Sequence, residues 1–281
     1  MEERDLGDAD RIIRLAFGTF LGVPDPATTF GDSDYAYTRW RAQPDGALAA
    51  ELDERLVGSN FASNWGSFGF FGPLSVEPRL WEQKVAQQLL EPTMEVFARW
   101  RCRQAGLFTF SHSAKHVALY RKFGFWPRFL TAVMQKQIAR LATPNYVRFS
   151  ALPANEKDAA IAACRETADL IHEGLDLSRE IRAVDNQRLG DTVILYDGSA
   201  VAAFGVCHVG ARTEAGSGSC YVKFGAARPT ASVEAWFARL LDACEHFASS
   251  RGAQRLTAGV NMAREQAYRM VAGRGFRTEI Q

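Results

Sequence analysis

The sequence has little cysteine and no long apolar run. Its five cysteines are odd in number, scattered, and never spaced as Cys-x-x-Cys, which argues against both a disulfide framework and a zinc knuckle. No run of about 18 apolar residues is present to span a bilayer. The start Met1-Glu2-Glu3-Arg4-Asp5 is too charged for a secretory signal. The composition therefore predicts a soluble, cytoplasmic protein with reduced, mostly buried thiols.

The sequence also lacks a strong net charge, because basic and acidic residues are almost equal in number. Thirty-three basic and thirty-two acidic residues give a formal net charge of +1, so no global field attracts the chain to nucleic acid or to an anionic membrane. Long basic runs are absent, and Arg99, Arg101 and Arg103 are interpreted as a solvated helix end. We expect neither nucleic-acid nor membrane partners, and any anion site has to be local.

The glycine-rich stretch 66–72 lacks the pattern of a nucleotide-binding loop. Gly66, Gly69 and Gly72 are spaced as Gly-x-x-Gly-x-x-Gly with aromatic residues between them. This spacing fits neither a Rossmann fingerprint nor a P-loop, and a strand rather than a helix follows it. The stretch predicts a strand with close backbone approaches.

An internal repeat is the main positive signal. Two stretches align without a gap at an offset of 151 positions, and the matched pairs are Pro78 with Pro229, Leu89-Leu90 with Leu240-Leu241, and Gly124-Phe125 with Gly275-Phe276. A repeat that covers this much of the chain predicts two domains. With 281 residues and 47% apolar residues, each half can bury a core. We predict two α/β units, 1–141 and 146–281, with a linker between them at 142–145.

Hydrophobic periodicity and turn signals give the order of elements in each half. In the first half we predict a helix ending at Gly22, a loop to about Trp40, a hairpin of strands 46–51 and 56–62, a strand 73–76, a helix 80–100, a strand 107–111, a helix to Phe123, and a strand 129–134. In the second half we predict a strand 147–150, helices 155–171 and 178–184, a hairpin around Asp197-Gly198, a strand 220–227, a helix after Pro229, a strand 255–260 and a closing helix before Gly275.

This order of elements resembles the GNAT acyltransferase superfamily in tandem. The resemblance rests on Val76-Glu77-Pro78, on the loop that follows it, and on Leu119-Tyr120 placed before Gly124-Phe125. It implies a mixed-sheet α/β (α+β) fold of two GNAT-like domains. The activity it implies is acetyl-CoA-dependent N-acetyl transfer to a small amine or to an exposed amino group of a peptide. No metal is implied, and a homodimer is left open.

The resemblance places a coenzyme A site in the first half. Backbone amides at a helix start have to approach a pyrophosphate there, which favours small residues. Ala86 fits this requirement, whereas Trp81 stands where the family has Gln or Arg and Lys84 where it has Gly. Lys84 could instead form an ion pair with a phosphate. The residues carried over as the cofactor site are Leu74, Ser75, Val76, Trp81, Glu82, Gln83, Lys84, Val85, Ala86, Gln87 and Ser113.

Two residues are candidates for catalysis. Tyr120, at the family's tyrosine position, would protonate the departing thiolate, because a phenol with a pKa near 10 is a protonated donor beside a thiol with a pKa near 8.5. Its alternative role is that of a core aromatic residue. His112 titrates in the range of a general base, although a histidine at a strand-to-helix junction is often a cap. His112 and His116 are spaced i, i+4, but a third metal ligand is lacking.

Other residues leave two further alternatives open. Glu51, Asp53 and Glu77 are alternative bases that are equally well explained as solvated turn charges. In the second half, Phe237 occupies the position of the small pyrophosphate-site residue and Val271 that of the tyrosine. We therefore expect the second domain to be degenerate. If the first site has also decayed, the protein would be a non-enzymatic binding protein.

Overall fold

The computed structural model describes residues 1–139 and 143–280. The chain divides into two compact units, Met1–Trp126 and Pro127–Gln281. The predicted end of the first domain, at residue 141, and the first linker residue, 142, lie outside the described residues. Residues 143–145 of the predicted linker are described and carry no regular secondary structure.

The first unit packs helices on a mixed sheet. Its sheet has the order β1-β2-β3-β5, and β4 also pairs with β2. The buried face of α1, with Ile12 and Ile13, packs against Leu56 and Phe61 of the sheet. In chain order the elements are α1 (Leu6–Leu21), α2 (Ala36–Ala42), β1 (Ala47–Leu52), β2 (Arg55–Trp65), β3 (Phe68–Phe71), β4 (Ser75–Val76), α3 (Val85–Arg99), β5 (Gln104–Gly106) and α4 (Ala114–Arg121).

The second unit has its own sheet, in the order β12-β6-β11-β10-β9-β8-β7. Helix α7 covers it with the buried residues Leu240, Cys244 and Phe247. Both sheets mix parallel and antiparallel pairs, so the predicted mixed α/β class is confirmed. The elements are β6 (Thr131–Gln137), β7 (Val147–Arg148), α5 (Ala154–Asp169), α6 (Ser178–Gln187), β8 (Gly190–Asp197), β9 (Ala200–Gly210), β10 (Gly216–Ala227), α7 (Val233–Ser250), β11 (Arg255–Asn261), α8 (Glu265–Gly273) and β12 (Arg277–Ile280).

The sequence repeat is also a structural repeat. Strands β5 and β11 begin at positions that differ by the predicted offset, and so do helices α4 and α8. Gly124 and Gly275, which follow the two helices, both have a left-handed backbone with φ of 84° and 87°. The offset found in the sequence therefore reflects two copies of one strand-helix-glycine unit.

Strand β6 corrects one prediction. We expected a strand at 129–134 to complete the first unit, but β6 pairs with β11 from Thr131↔Asn261 to Gln137↔Arg255 and with β12 on its other side. Lys136 fixes it further through a 2.7 Å ion pair with buried Glu245. Alternation along a strand predicts which face is buried but not which strand will be its neighbour.

Three smaller predictions about the first unit were wrong at the level of element boundaries. The predicted loop 22–40 contains the start of helix α2. The predicted strand 107–111 is displaced, because the ladder of β5 ends at Gly106. The predicted helix 80–100 begins only at Val85, after a single 3-10 turn at Pro78–Leu80. The last two differences matter because the segments before α3 and after β5 line the cavity described below.

Several local predictions are confirmed. Strands β1 and β2 form the expected hairpin, and β8 and β9 flank Asp197-Gly198. In the glycine-rich stretch, a Cβ on Gly69 would lie 2.5 Å from the ring of Phe97, so the predicted close approach is real. All five cysteines are free and four are buried. Among residues 1–139 and 143–280, none of the helices combines the length and hydropathy needed to cross a bilayer.

A buried charge cluster in the second unit leads to a prediction about acid stability. Lys223 contacts Glu180 at 2.6 Å and Glu214 at 2.9 Å. Although burial opposes ionisation, the charge of Lys223 and a contact with His208 lower the pKa of Glu180 to about 2. A lowered carboxyl pKa stabilises the fold above the unfolded value of about 4.3, and this stabilisation is lost as the pH falls toward 2.

We therefore expect the stability of wild-type protein to fall steeply between about pH 4.5 and pH 2. Glu180→Gln should cost about 3 kcal/mol at pH 7, because it leaves part of a buried ion network unpaired, and should flatten this pH dependence. Calorimetry with circular dichroism across that range measures both effects. Exposed Glu156→Gln, on α5, is the control. An equal loss of stability in the two variants would contradict the prediction.

Candidate active site

Strands β4 and β5 diverge and leave an opening in the first unit. The long strand β2 pairs with β3 along its second half and with β4 along its first half. Residues 72–74 separate strand β3 from strand β4 and belong to neither strand. The Gly72-Pro73 peptide bond within this segment is cis. Strand β5 runs parallel to β3 but, within the described residues, does not pair with β4. The irregularity that the sequence predicted beside Gly72 and Pro73 is present.

A cavity of about 290 Å³ occupies this opening. Its walls come from the interrupted strand, the loop and first turn of α3, the segment after β5, helix α4, and the end of α1. The lining residues are Ala16, Phe17, Phe20, Phe71, Gly72, Pro73, Leu74, Ser75, Val76, Leu80, Trp81, Glu82, Lys84, Val85, Ala86, Gln87, Leu107, Phe108, Thr109, Phe110, Lys115, His116, Leu119 and Tyr120. The cavity is mostly apolar, with a few polar groups, as is typical of small-molecule sites.

The loop before α3 has the backbone shape of an anion site. Glu82 and Lys84 have φ of 66° and 65°, so Lys84 takes the left-handed conformation that explains why the family has glycine here. Within the described part of the chain, no backbone acceptor pairs with the N–H groups of Val85 and Ala86. Such groups at a helix start, together with the helix dipole, favour a bound anion.

Trp81 closes one side of this loop. Its indole Nε1 donates a hydrogen bond of 2.9 Å to the carbonyl of Val76, and the ammonium of Lys115 lies 4.7 Å from its ring centroid. The large residue at the family's Gln or Arg position thus ties the end of β4 to the loop. Trp81 also lines the cavity beside Ala86.

The edge of β4 that faces away from β2 borders the cavity. Ser75 pairs with Ser59 in the register of β2, and the N–H of Glu77 donates to the carbonyl of Val57 at 2.9 Å. In an antiparallel ladder, alternate residues point their peptide groups to opposite edges. Leu74 and Val76, the neighbours of Ser75, therefore direct their peptide groups toward the cavity.

Tyr120 lies in the cavity wall on α4. Its ring meets Phe71 edge-on at 5.9 Å, and its backbone carbonyl accepts a 3.2 Å hydrogen bond from Phe125 in the turn that closes the helix. Burial raises the pKa of Tyr120 to about 12. The hydroxyl therefore stays protonated at every physiological pH and can donate a hydrogen bond into the cavity.

The two histidines of this region have different positions. His112 is exposed and stacks on Phe20 at 6.0 Å, whereas His116 lines the cavity one helical turn before Tyr120. Burial, with Lys115 and His112 nearby, lowers the pKa of His116. Of the two histidines, His116 is thus the one placed beside the cavity, although the sequence interpretation favoured His112.

Most of the predicted site residues come together. Within the described residues, the ones that do not line the cavity are Gln83, His112 and Ser113. Sequence reasoning missed Phe17, Phe20, Lys115 and His116 as lining residues. The i, i+4 spacing of His116 and Tyr120 was a usable signal for His116, because it places both side chains on one helix face. No comparable signal existed for Phe17 and Phe20, which reach the cavity by tertiary packing alone.

The alternative bases are placed unequally. Glu77 is buried and contacts Arg79 at 2.6 Å and Arg11 at 3.2 Å; although burial opposes ionisation, these guanidinium groups lower its pKa. Glu51 and Asp53 lie at the β1–β2 turn and are exposed. Within the described residues, none of the three lines the cavity, and no group of three or more metal-ligating side chains is placed to hold an ion.

The corresponding region of the second unit is built differently. Val271 on α8 is 1% exposed and part of the core, and Phe237 packs partly buried against the same core. Lys223 lies at the register shift of β10, between Val222 and Phe224, where the first unit has its strand interruption. Its ammonium is held there by the two carboxylates described above.

Residues 13–125 match the model of the acetyltransferase (GNAT) family. This segment includes every residue that lines the cavity. No curated protein matches the sequence.

Solved structures match over the whole chain. A proposed acetyltransferase from Pyrococcus horikoshii is 15% identical, with a TM-score of 0.64 over 99% of this chain and 83% of that one. A GCN5-related N-acetyltransferase from Sphaerobacter thermophilus is 13% identical, with a TM-score of 0.62 over 100% and 91%. A tandem GNAT protein from the clavulanic acid biosynthesis pathway is 12% identical, with a TM-score of 0.55 over 99% and 92%. At such identities these likenesses establish the fold, and they confirm the predicted tandem arrangement.

Proposed function

We propose that the chain is a tandem acyltransferase whose first unit, which matches the acetyltransferase (GNAT) family model over residues 13–125, transfers the acetyl group of acetyl-CoA to the nitrogen of an amine. One observation carries this proposal. A single cavity contains the start of α3, the free edge of β4 and the protonated hydroxyl of Tyr120. These are the groups needed to bind a pyrophosphate, polarise a thioester carbonyl and stabilise a departing thiolate.

The pyrophosphate would lie against the loop of Glu82 and Lys84 and the first turn of α3. Val85 and Ala86 offer unpaired N–H groups there, and Ala86 keeps the approach open. Lys84 adds a positive charge at the same place. The pantetheine arm would then follow the edge of β4 toward Tyr120, between mostly apolar walls.

Lys84 gives a prediction with two separable effects. We expect Lys84→Gly to stabilise the protein by about 1 kcal/mol, because a left-handed backbone is costly for a residue with a side chain. It should also weaken acetyl-CoA binding about five-fold by removing an exposed ion pair with a phosphate. Thermal melting and calorimetric titration measure the two effects.

Lys84→Gln separates the charge from the backbone. It should lose the same affinity without any gain in stability, while exposed Lys122→Gln changes neither quantity. Tighter acetyl-CoA binding by Lys84→Gly would contradict the ion pair and would indicate that the lysine side chain obstructs the phosphates.

Tyr120 would act as a hydrogen-bond donor to the leaving sulfur. A thiol has a reference pKa near 8.5, so full proton transfer from a phenol with a pKa of about 12 is uphill by about 3.5 pKa units, or roughly 5 kcal/mol. A hydrogen bond to the developing thiolate carries no such penalty. The proton that finally neutralises the thiolate has to come from a stronger acid.

We propose that the acceptor is a small amine or an exposed peptide amino group, and that the reaction takes place in the cytoplasm, where the five free thiols stay reduced. The second unit would have a structural or substrate-shaping role. The buried side chain of Val271 and the packing of Phe237 against the core support this assignment, because they leave neither a phenol nor a small residue at the positions that correspond to Tyr120 and Ala86.

The test begins with calorimetric titration of the protein with acetyl-CoA. A thiol-release assay then uses acetyl-CoA with a panel of amines: spermidine, tryptamine, kanamycin, lysine and a peptide with a free N-terminus. We expect micromolar binding and turnover of at least one class of amine. Failure of acetyl-CoA and of other short acyl-CoA thioesters to bind would overturn the proposal in favour of a non-enzymatic binding role.

A further inference from the structure

His116 has one enclosed and one reachable ring nitrogen. Nδ1 is buried without a hydrogen-bond partner among the described residues. Because the side chain lines the cavity, Nε2 is the nitrogen that a bound molecule can reach. The edge-on ring of Phe20, 4.9 Å away, covers the imidazole on the side of α1.

The surroundings of His116 favour its neutral form. Burial and the charge of nearby Lys115 make the imidazolium costly, and in the neutral Nδ1–H tautomer Nε2 keeps the lone pair that can accept a proton. The titratable groups around it are Lys115 and His112 on its own segment, Tyr120 one turn further along α4, and Glu82 and Lys84 in the facing loop. Helix α1 lines the cavity with Ala16, Phe17 and Phe20, none of which titrates. His116 is thus a weak base whose imidazolium releases its proton readily.

Resting on the function proposed above, we propose that His116 is the proton acceptor of the transfer reaction and that Tyr120 relays this proton to sulfur. The amine nitrogen forms a bond to the acyl carbon while the C–S bond breaks. The proton lost by the nitrogen goes to Nε2 of His116. The imidazolium then protonates the thiolate through the hydroxyl of Tyr120. The products are an amide and a thiol, and both side chains return to their starting states.

The order of acidities supports this relay. The phenol of Tyr120 is too weak an acid to protonate a thiolate alone, as shown by the uphill transfer calculated above. An imidazolium whose pKa lies below its ordinary value of about 6.5 transfers its proton to a thiolate downhill. Positions i and i+4 of a helix bring Cβ atoms to about 5–6 Å from each other, which is within reach of a hydroxyl relay. The relay thus gives a role both to the imidazole of His116 and to the weakly acidic hydroxyl of Tyr120.

The experiment compares His116→Gln with His112→Gln, using acetyl-CoA and whichever amine of the panel turns over fastest. In wild-type protein, kcat measured at saturating amine and acetyl-CoA should fall with unit slope below a pKa under 6.5. His116→Gln should lower kcat about 100-fold at pH 7.5 and abolish that low-pH limb. The KM for acetyl-CoA should change less than about three-fold. His112→Gln should retain the wild-type rate at pH 7.5 and keep a low-pH limb.

The outcomes distinguish this inference from the function it rests on. A His116→Gln variant that keeps the low-pH limb, or that loses activity through KM alone, overturns the relay and leaves acetyl transfer intact. His116→Asn and thermal melting exclude a folding defect as the cause of a loss. If wild-type protein turns over none of the amines, the relay is overturned together with the proposed function.

Discussion

We expect Tyr120→Phe to lower kcat by about 10³-fold while the KM for acetyl-CoA stays nearly constant. The substitution keeps the ring and its edge-on contact with Phe71 but removes the hydroxyl that would donate to the leaving sulfur. Loss of one preorganised donor to a developing negative charge costs about 10²–10³ in rate, and here the proton relay is lost as well. Thiol release under saturating acetyl-CoA measures kcat directly.

The matched control for this prediction is Tyr268→Phe in the second unit. Tyr268 is half-buried on α8, so it tests the general cost of removing a tyrosine hydroxyl. Its variant should retain wild-type activity. A loss of less than ten-fold in Tyr120→Phe would show that another group stabilises the thiolate, and Tyr120 would then be only part of the cavity wall.

Ala86→Trp should reduce acetyl-CoA binding by more than about 100-fold, which corresponds to about 3 kcal/mol. Ala86 lines the cavity in the first turn of α3, where the unpaired N–H groups face the proposed phosphate position. An indole there fills the space in front of these groups. It should exclude the ligand without disturbing the buried face of the helix, which includes Leu89 and Leu90.

Ala98→Trp is the control for bulk on the same helix. Ala98 is exposed near the far end of α3, so its variant should bind acetyl-CoA like wild type. Titration calorimetry compares the two variants, and thermal melting confirms that both fold. Unchanged affinity in Ala86→Trp would place the coenzyme elsewhere and would contradict the assignment of the cavity.

Features that depend on neighbouring residues could be predicted from the sequence. The strand-helix-glycine unit was found because its spacing is local, and Gly124 and Gly275 have the left-handed backbone that favours glycine at a helix end. The candidate role of Tyr120 followed from its distance to Gly124. The resemblance predicted Ala86 for the phosphate site from its distance to Pro78 in the sequence, and the structure places it in the first turn of α3.

Features that depend on distant residues could not be predicted. The sequence favoured His112 because it follows the predicted strand directly, whereas the structure places His116 in the cavity wall and leaves His112 exposed. The sequence of β6 predicts a strand but not the unit to which the strand belongs. Its pairing with β11 and β12 depends on residues more than a hundred positions away.

By itself, the sequence determined that this protein contains two copies of one mixed α/β unit, and it predicted an acyl-CoA site in the first copy. Helical spacing, glycine at left-handed positions and proline at strand ends act over a few residues, so the chain records them directly. Only the tertiary structure decided how β3 and β4 are interrupted, that Lys84 takes the glycine-like conformation, and that His116 lies beside the cavity. These features arise where segments far apart in the chain pack together, and burial and strand pairing there are set by the partner rather than by the local sequence.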